Sequence, residues 1–274
     1  MTTRRYYISL PAFLLLAALL LPVATLAQSV GLAPALIRKQ FKPGVPFELE
    51  LATVNNGQTP VEMSVQITDL WYDQKNEKVF SEPGSSPRSA ANWIQFVPEH
   101  FQVAVNGTQK MKAIVTPPAD AKGGYYATLF VISTPQLAFD RDKTPDKRQV
   151  YTNMRLGCLI LLSAEKTEEY KIELSNIKVS PPGANQGLDV SFTLENMSNT
   201  HVLPRARVAV MDSQRKLVAK AETEQKRFLP GQKDSMHVDW TGTLPAGNYT
   251  AILTVAYAED RIETHQVPFS VAQP

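Results

Sequence analysis

The sequence predicts an all-β protein built as two tandem β-sandwiches, and three observations carry that expectation. Apolar residues recur with period two, as in VPFELELATV (45–54), and helical spacing is scarce. Twenty prolines are spread along the 274 residues, and proline is poorly tolerated inside helices. GGYYATLFVIS (123–133) is echoed by GNYTAILTVAY (247–257), at a separation the size of a whole domain. In both phrases a Gly-X-Tyr unit leads into an alternating strand. An offset of 123 residues sets Tyr126, Thr128, Phe130 and Ile132 against Tyr249, Ala251, Leu253 and Val255.

The elements follow in order. Residues 1–27 combine Arg4 and Arg5, an apolar run and a small-residue ending at Thr25-Leu26-Ala27, the pattern of a secretory signal peptide. An exported chain beginning near Gln28 is expected, periplasmic first and secreted or cell-surface as alternatives. No integral membrane segment is expected after signal cleavage, since no second long apolar run occurs. The 247 residues that remain suit two domains of about 110–130 residues each. Cys158 is the single cysteine, which rules out an intramolecular disulfide, so stability must come from hydrophobic cores. The formal net charge of +2 gives no reason to expect nucleic acid.

Val45 to Val54 runs into the turn signal NNG, and alternation resumes in PVEMSVQITD (60–69). SEPGSSPRS (81–89) reads as a loop, and NWIQFVPEHFQVAV, the turn at Asn106-Gly107 and KMKAIVTPP follow. The charged run Phe139 to Gln149 reads as a mobile, solvated loop, and VYTNMRLGCLILLS (150–163) as one long closing strand. Residues 28–163 then form the first domain, 164–170 the linker and 171–274 the second domain. There the same grammar returns: LDVSFTLENMSN, LPRARVAVMD, then FLPGQK and LPAGNY. About seven short strands per unit, with turns every 8–12 residues, describe an immunoglobulin-like sandwich. In it Tyr126 and Tyr249 are expected at a sandwich corner, ring buried and hydroxyl bonded to nearby backbone, or else as ordinary strand residues.

RKQFKPG (38–44), VNNG, SAANWIQFVPEHFQVAVNGTQKMKAIVTPP and GGYYATLFV resemble the N-terminal domain of PapD-like periplasmic pilus-assembly chaperones, over most of 30–163. The resemblance implies a chaperone that holds the terminal carboxylate of an unfolded subunit with a first-strand Arg and a last-strand Lys. It also implies that alternating apolar residues of the last strand complete the subunit's sheet. Arg38 matches the Arg. The Lys position falls on Cys158, which carries no charge. Arg155, three residues earlier, is the other anchor candidate, although strand parity sends it to the face opposite Cys158. Val150, Met154, Leu156 and Cys158 are the candidate donor residues. That stripe equally suits the domain's own core, and Arg38 equally suits a solvated strand charge. The second half is similar to immunoglobulin-like modules of cell-envelope proteins, and the tandem layout to WxL-interacting surface proteins.

No catalytic constellation is expected. His100, His201, His237 and His265 are scattered without metal-ligand spacing, and no nucleophile or phosphate-binding motif occurs. The chain is therefore expected to be no enzyme, with no metal, cofactor or small-molecule substrate. Its partners are expected to be protein subunits or envelope proteins, in fibre assembly or, alternatively, as a structural or adhesive module. Chaperoning requires Arg38 beside a cleft between the domains with an open strand edge next to it. A covered edge or a distant Arg38 favours the module.

Overall fold

The computed structural model describes residues 30–140, 149–183 and 186–272. The signal-peptide expectation (1–27) and most of the charged run lie outside the described residues. The first half supplies β1 (Val30–Ala33), β2 (Leu36–Phe41), β3 (Phe47–Asn55), β4 (Val61–Tyr72), β5 (Lys78–Ser81), β6 (Ile94–Val97), β7 (His100–Val103), β8 (Thr108–Val115), β9 (Gly124–Ser133), β10 (Gln136–Asp140), β11 (Gln149–Thr152) and β12 (Arg155–Ala164). The second supplies β13 (Ile172–Ser180), β14 (Leu188–Asn196), β15 (Arg205–Asp212), β16 (Leu217–Glu222), β17 (Lys233–Trp240), β18 (Gly247–Ala258) and β19 (Arg261–Val271).

These strands make two sandwiches. In the first, β1-β3-β8-β6 faces β2-β12-β9-β4-β5, with β7 also paired to β4; in the second, β13-β14-β17 faces β16-β15-β18-β19. Period-two alternation sorts each strand. Leu49, Leu51, Thr53 and Asn55 of β3 point inward, as do Leu188, Val190, Phe192, Leu194 and Asn196 of β14. Each sandwich encloses its own core, one around Met111, Leu129 and Ile160 and one around Phe192, Phe228 and Leu253. A fully buried side chain of that size contributes about 1.5–3 kcal/mol.

The two halves also repeat one polar device. The Asn55 side chain donates to Thr59 O at 2.8 Å and Val103 O at 3.1 Å and accepts from Gly57 N at 2.9 Å. Asn196 donates to Thr200 O at 2.9 Å and Phe228 O at 3.0 Å and accepts from Ser198 N at 2.9 Å. Each amide satisfies a buried turn that strand pairing leaves open.

The tyrosines need a correction. Tyr125, Ala127, Leu129 and Val131 face the first core, and Tyr249, Ala251, Leu253 and Val255 face the second. Tyr125 is therefore the counterpart of Tyr249, and the repeat runs one residue out of the register expected. Tyr249 does make the corner bond, Oη to Pro245 O at 2.8 Å, and Tyr125 Oη accepts from Lys122 N at 3.2 Å. Tyr126 points away from the core.

The long closing strand is also two strands. β11 pairs with β10 in a ribbon of its own, and the described ends of the charged run are extended backbone within it. β12 starts afresh at Arg155 and pairs antiparallel with β9 and, from Leu159 onward, parallel with β2.

Candidate functional site

The junction between the sandwiches is built on the outer face of the β2-β12-β9-β4 sheet. Register places Arg38 beside Leu161, and Leu161 beside Tyr126. Because Ile37 and Phe41 turn to the core, Leu36 and Arg38 turn outward. Leu70, Tyr126 and Leu161 form a third apolar cluster there, with Leu36, Tyr72 and Leu159 packed around it. Its fourth buried member, Leu229, comes from the second sandwich.

Backbone and side-chain hydrogen bonds fix this meeting. Gly124 N donates to Asn199 O at 2.9 Å and Gly123 N to Thr167 Oγ1 at 2.8 Å. Asn199 Nδ2 donates to Thr167 O at 2.8 Å, Glu169 N donates to Asn199 Oδ1 at 2.9 Å, and the hydroxyls of Ser163 and Thr200 lie 3.1 Å apart. Gly123 has φ +71°, and a Cβ on it would collide with the Asn199 carbonyl, so the position demands glycine. On the far side Gln232 Nε2 donates to Asn76 Oδ1 at 2.6 Å. A cavity of about 410 Å³ opens beside the cluster, lined by Tyr72, Arg88, Tyr126, Leu229, Pro230 and Gln232 among others.

The second sandwich brings its own polar groups. Val202 and Phe228 form a bridge, both inward and buried, so their neighbours His201 and Arg227 project outward. The His201 ring meets Tyr126 edge-on at 5.9 Å. Burial, then the charges of Arg38 and Arg227, push the His201 pKa down to about 4, so its ring is neutral at pH 7. Burial, and to a lesser degree Arg38, lower that of Arg227. Burial raises that of Tyr126 well above the ordinary phenol value. Among the described residues His201 Nδ1, Arg227 Nε and Arg205 Nε are buried atoms with no hydrogen-bond partner.

The expected site residues divide over this frame. Arg38 is exposed and lies within electrostatic reach of His201 and Arg227. Arg155 shares the outer face but is six residues up β12 from Leu161, about 20 Å away. It stacks over the Phe130 ring at 3.6 Å and donates to Gln66 Oε1 at 3.2 Å. The two arginines are not brought together. Cys158 is a core residue with Ile160 and Leu162, Met154 packs against that core, and Leu156 is half-buried. Burial pushes the Cys158 thiol up to about 11. Cys158 thus cannot stand where a cleft-facing lysine would. Val150 lies in β11, off the main sheet. The outer edge of β12 is occupied by β2 from Leu159 to Ala164, and Arg155–Cys158 lie beyond that pairing. β2 is itself an edge strand.

Sequence reasoning missed Arg227, His201 and Leu229. Their only local signal is the alternation of inward Val202 with outward His201, and inward Phe228 with outward Arg227; what unites them is tertiary. Among the described residues no cluster is placed to hold a metal ion, and no helix is long and apolar enough to cross a membrane.

No family model and no curated protein matches the chain. Among solved structures it is similar to the class 5 fimbriae chaperone CfaA, at 10% identity over 90% of this chain and 100% of that one, with a TM-score of 0.46. It is similar to a chain of a chaperone–tip adhesin complex of CFA/I fimbriae biogenesis, at 10% identity over 88% and 98%, with a TM-score of 0.48. It is also similar to the E. coli chaperone DraB, at 12% identity over 90% and 97%, with a TM-score of 0.41.

Proposed function

We propose that this protein is an exported, non-enzymatic assembly chaperone for pilus or other surface-fibre subunits, acting in the periplasm. A subunit strand adds to the open edge formed by β2 and the Arg155–Cys158 part of β12, and backbone hydrogen bonds supply the affinity. Arg38 takes the subunit's terminal carboxylate, which a guanidinium can hold with two parallel bonds. One observation carries this reading: Arg38 stands at the junction of the sandwiches beside that edge, exposed and, among the described residues, paired with no carboxylate. The test is affinity capture from periplasmic extract with the tagged protein. A co-purifying fibre subunit that disappears with Arg38→Ala is expected; capture of the same subunit by both proteins would refute the anchor.

A structural or adhesive envelope module is the second reading. It is favoured by the burial of Cys158, Ile160 and Leu162 in the core and by the cover that β2 gives to Leu159–Ala164. Under it, capture yields an envelope protein bound independently of Arg38.

A further inference from the structure

The reading above leaves a bound carboxylate with one cation, because β12 offers no second one on the cleft face near Arg38. We propose that the second cation is Arg227, so that the anion is gripped from both sandwiches at once, with the His201 ring as an added donor. This rests on the carboxylate-anchor reading and extends it to residues of the second sandwich.

The geometry converges from two directions. Arg38 and Tyr126 flank Leu161 on the outer face of the first sandwich. His201 and Arg227 project toward them from the Val202–Phe228 bridge, and the His201 ring meets the Tyr126 ring edge-on. Among the described residues no carboxylate pairs with Arg38 or Arg227; the nearby acids are engaged or lie at the rim. Asp234 is bound by Lys226, Glu168 accepts from Gln40 Nε2 at 3.1 Å, and Glu259 approaches Tyr170. Arg227 Nε and His201 Nδ1 are buried and unpartnered, an arrangement that costs free energy until an acceptor arrives. Two guanidiniums, one of them with its buried Nε unpartnered, beside a ring that burial keeps uncharged, form a receptor for one small anion. A hydrogen on His201 Nδ1 makes that nitrogen a donor to it.

The test follows the His201 ring signals by NMR in the full mature chain with isotope-labelled histidine, titrated with sodium acetate and separately with inorganic phosphate. Acetate is expected to shift them saturably. Arg38→Gln and Arg227→Gln should each weaken acetate binding by at least ~10-fold, while Lys112→Gln, far off in the first sandwich, leaves it unchanged. Arg227→Lys keeps the charge without the fork and should fall between; it is also the readout should Arg227→Gln melt early. Acetate affinity unchanged in Arg227→Gln or Arg227→Lys overturns the proposal, as does saturable binding of phosphate with none of acetate. A second arm uses an alternating apolar/polar octapeptide, with its C-terminus free or amidated. A free-end preference that needs Arg38 but not Arg227 keeps the anchor and sinks the two-sandwich grip. Acetate binding that needs both arginines, with no preference for the free end, keeps the grip and sinks the anchor.

Discussion

His201 is neutral in the folded protein because burial and two neighbouring guanidiniums oppose its charge. Its folded pKa of about 4 lies below the unfolded value of 6.5, so between those limits the unfolded chain binds the proton and the folded chain does not. The stability this arrangement contributes is whole above pH 6.5 and is lost as pH falls through 4, a total of at most about 3 kcal/mol. Urea midpoints at pH 7 and pH 4.5 should differ accordingly, and His201→Gln should flatten the difference. Cys158 gives the opposite kind of test. A lysine there, where the resemblance to pilus chaperones would want one, enters the first core rather than the cleft. Cys158→Lys is expected to destabilise by several kcal/mol in denaturant titrations and to add nothing to anion binding. Native Cys158 should likewise resist thiol reagents until the protein unfolds.

Among the elements, strands such as VPFELELATV and LDVSFTLEN were legible because one face must be apolar and the other solvated, and period two records that directly. The Asn that ends β3 and β14 was legible as a turn marker, although its role as a three-bond plug was not. Asn55→Ala and Asn196→Ala should each cost about 2–4 kcal/mol in thermal or urea unfolding, since three backbone groups, two of them buried at Asn55 and all three at Asn196, lose their partner. Parity failed at the paired tyrosines. Both faces of β9 are buried, one by the core and the other by the junction at Tyr126 and by Phe80 and Arg155 at Phe130, so alternation alone could not tell Tyr125 from Tyr126. The closing strand broke at Asn153 for a similar reason: β10 and β11 prolong the β9–β12 pairing beyond the sheet, and apolar residues continue through the break. Arg38 was readable from its motif, whereas Arg227 and His201 meet it only because the Val202–Phe228 bridge turns them outward.

At the scale of the whole molecule, the bond from Gly124 to Asn199 and that from Gln232 to Asn76 brace the sandwiches at two separate places. Between those braces lies the cluster of Leu70, Tyr126, Leu161 and Leu229, which neither sandwich can keep dry by itself. Pulling the halves apart would wet all four side chains, at roughly 1.5–3 kcal/mol for each leucine. The chain should therefore melt as a single calorimetric unit, with matching calorimetric and van't Hoff enthalpies. Leu229→Ser is expected to split that endotherm in two, each half then unfolding on its own schedule.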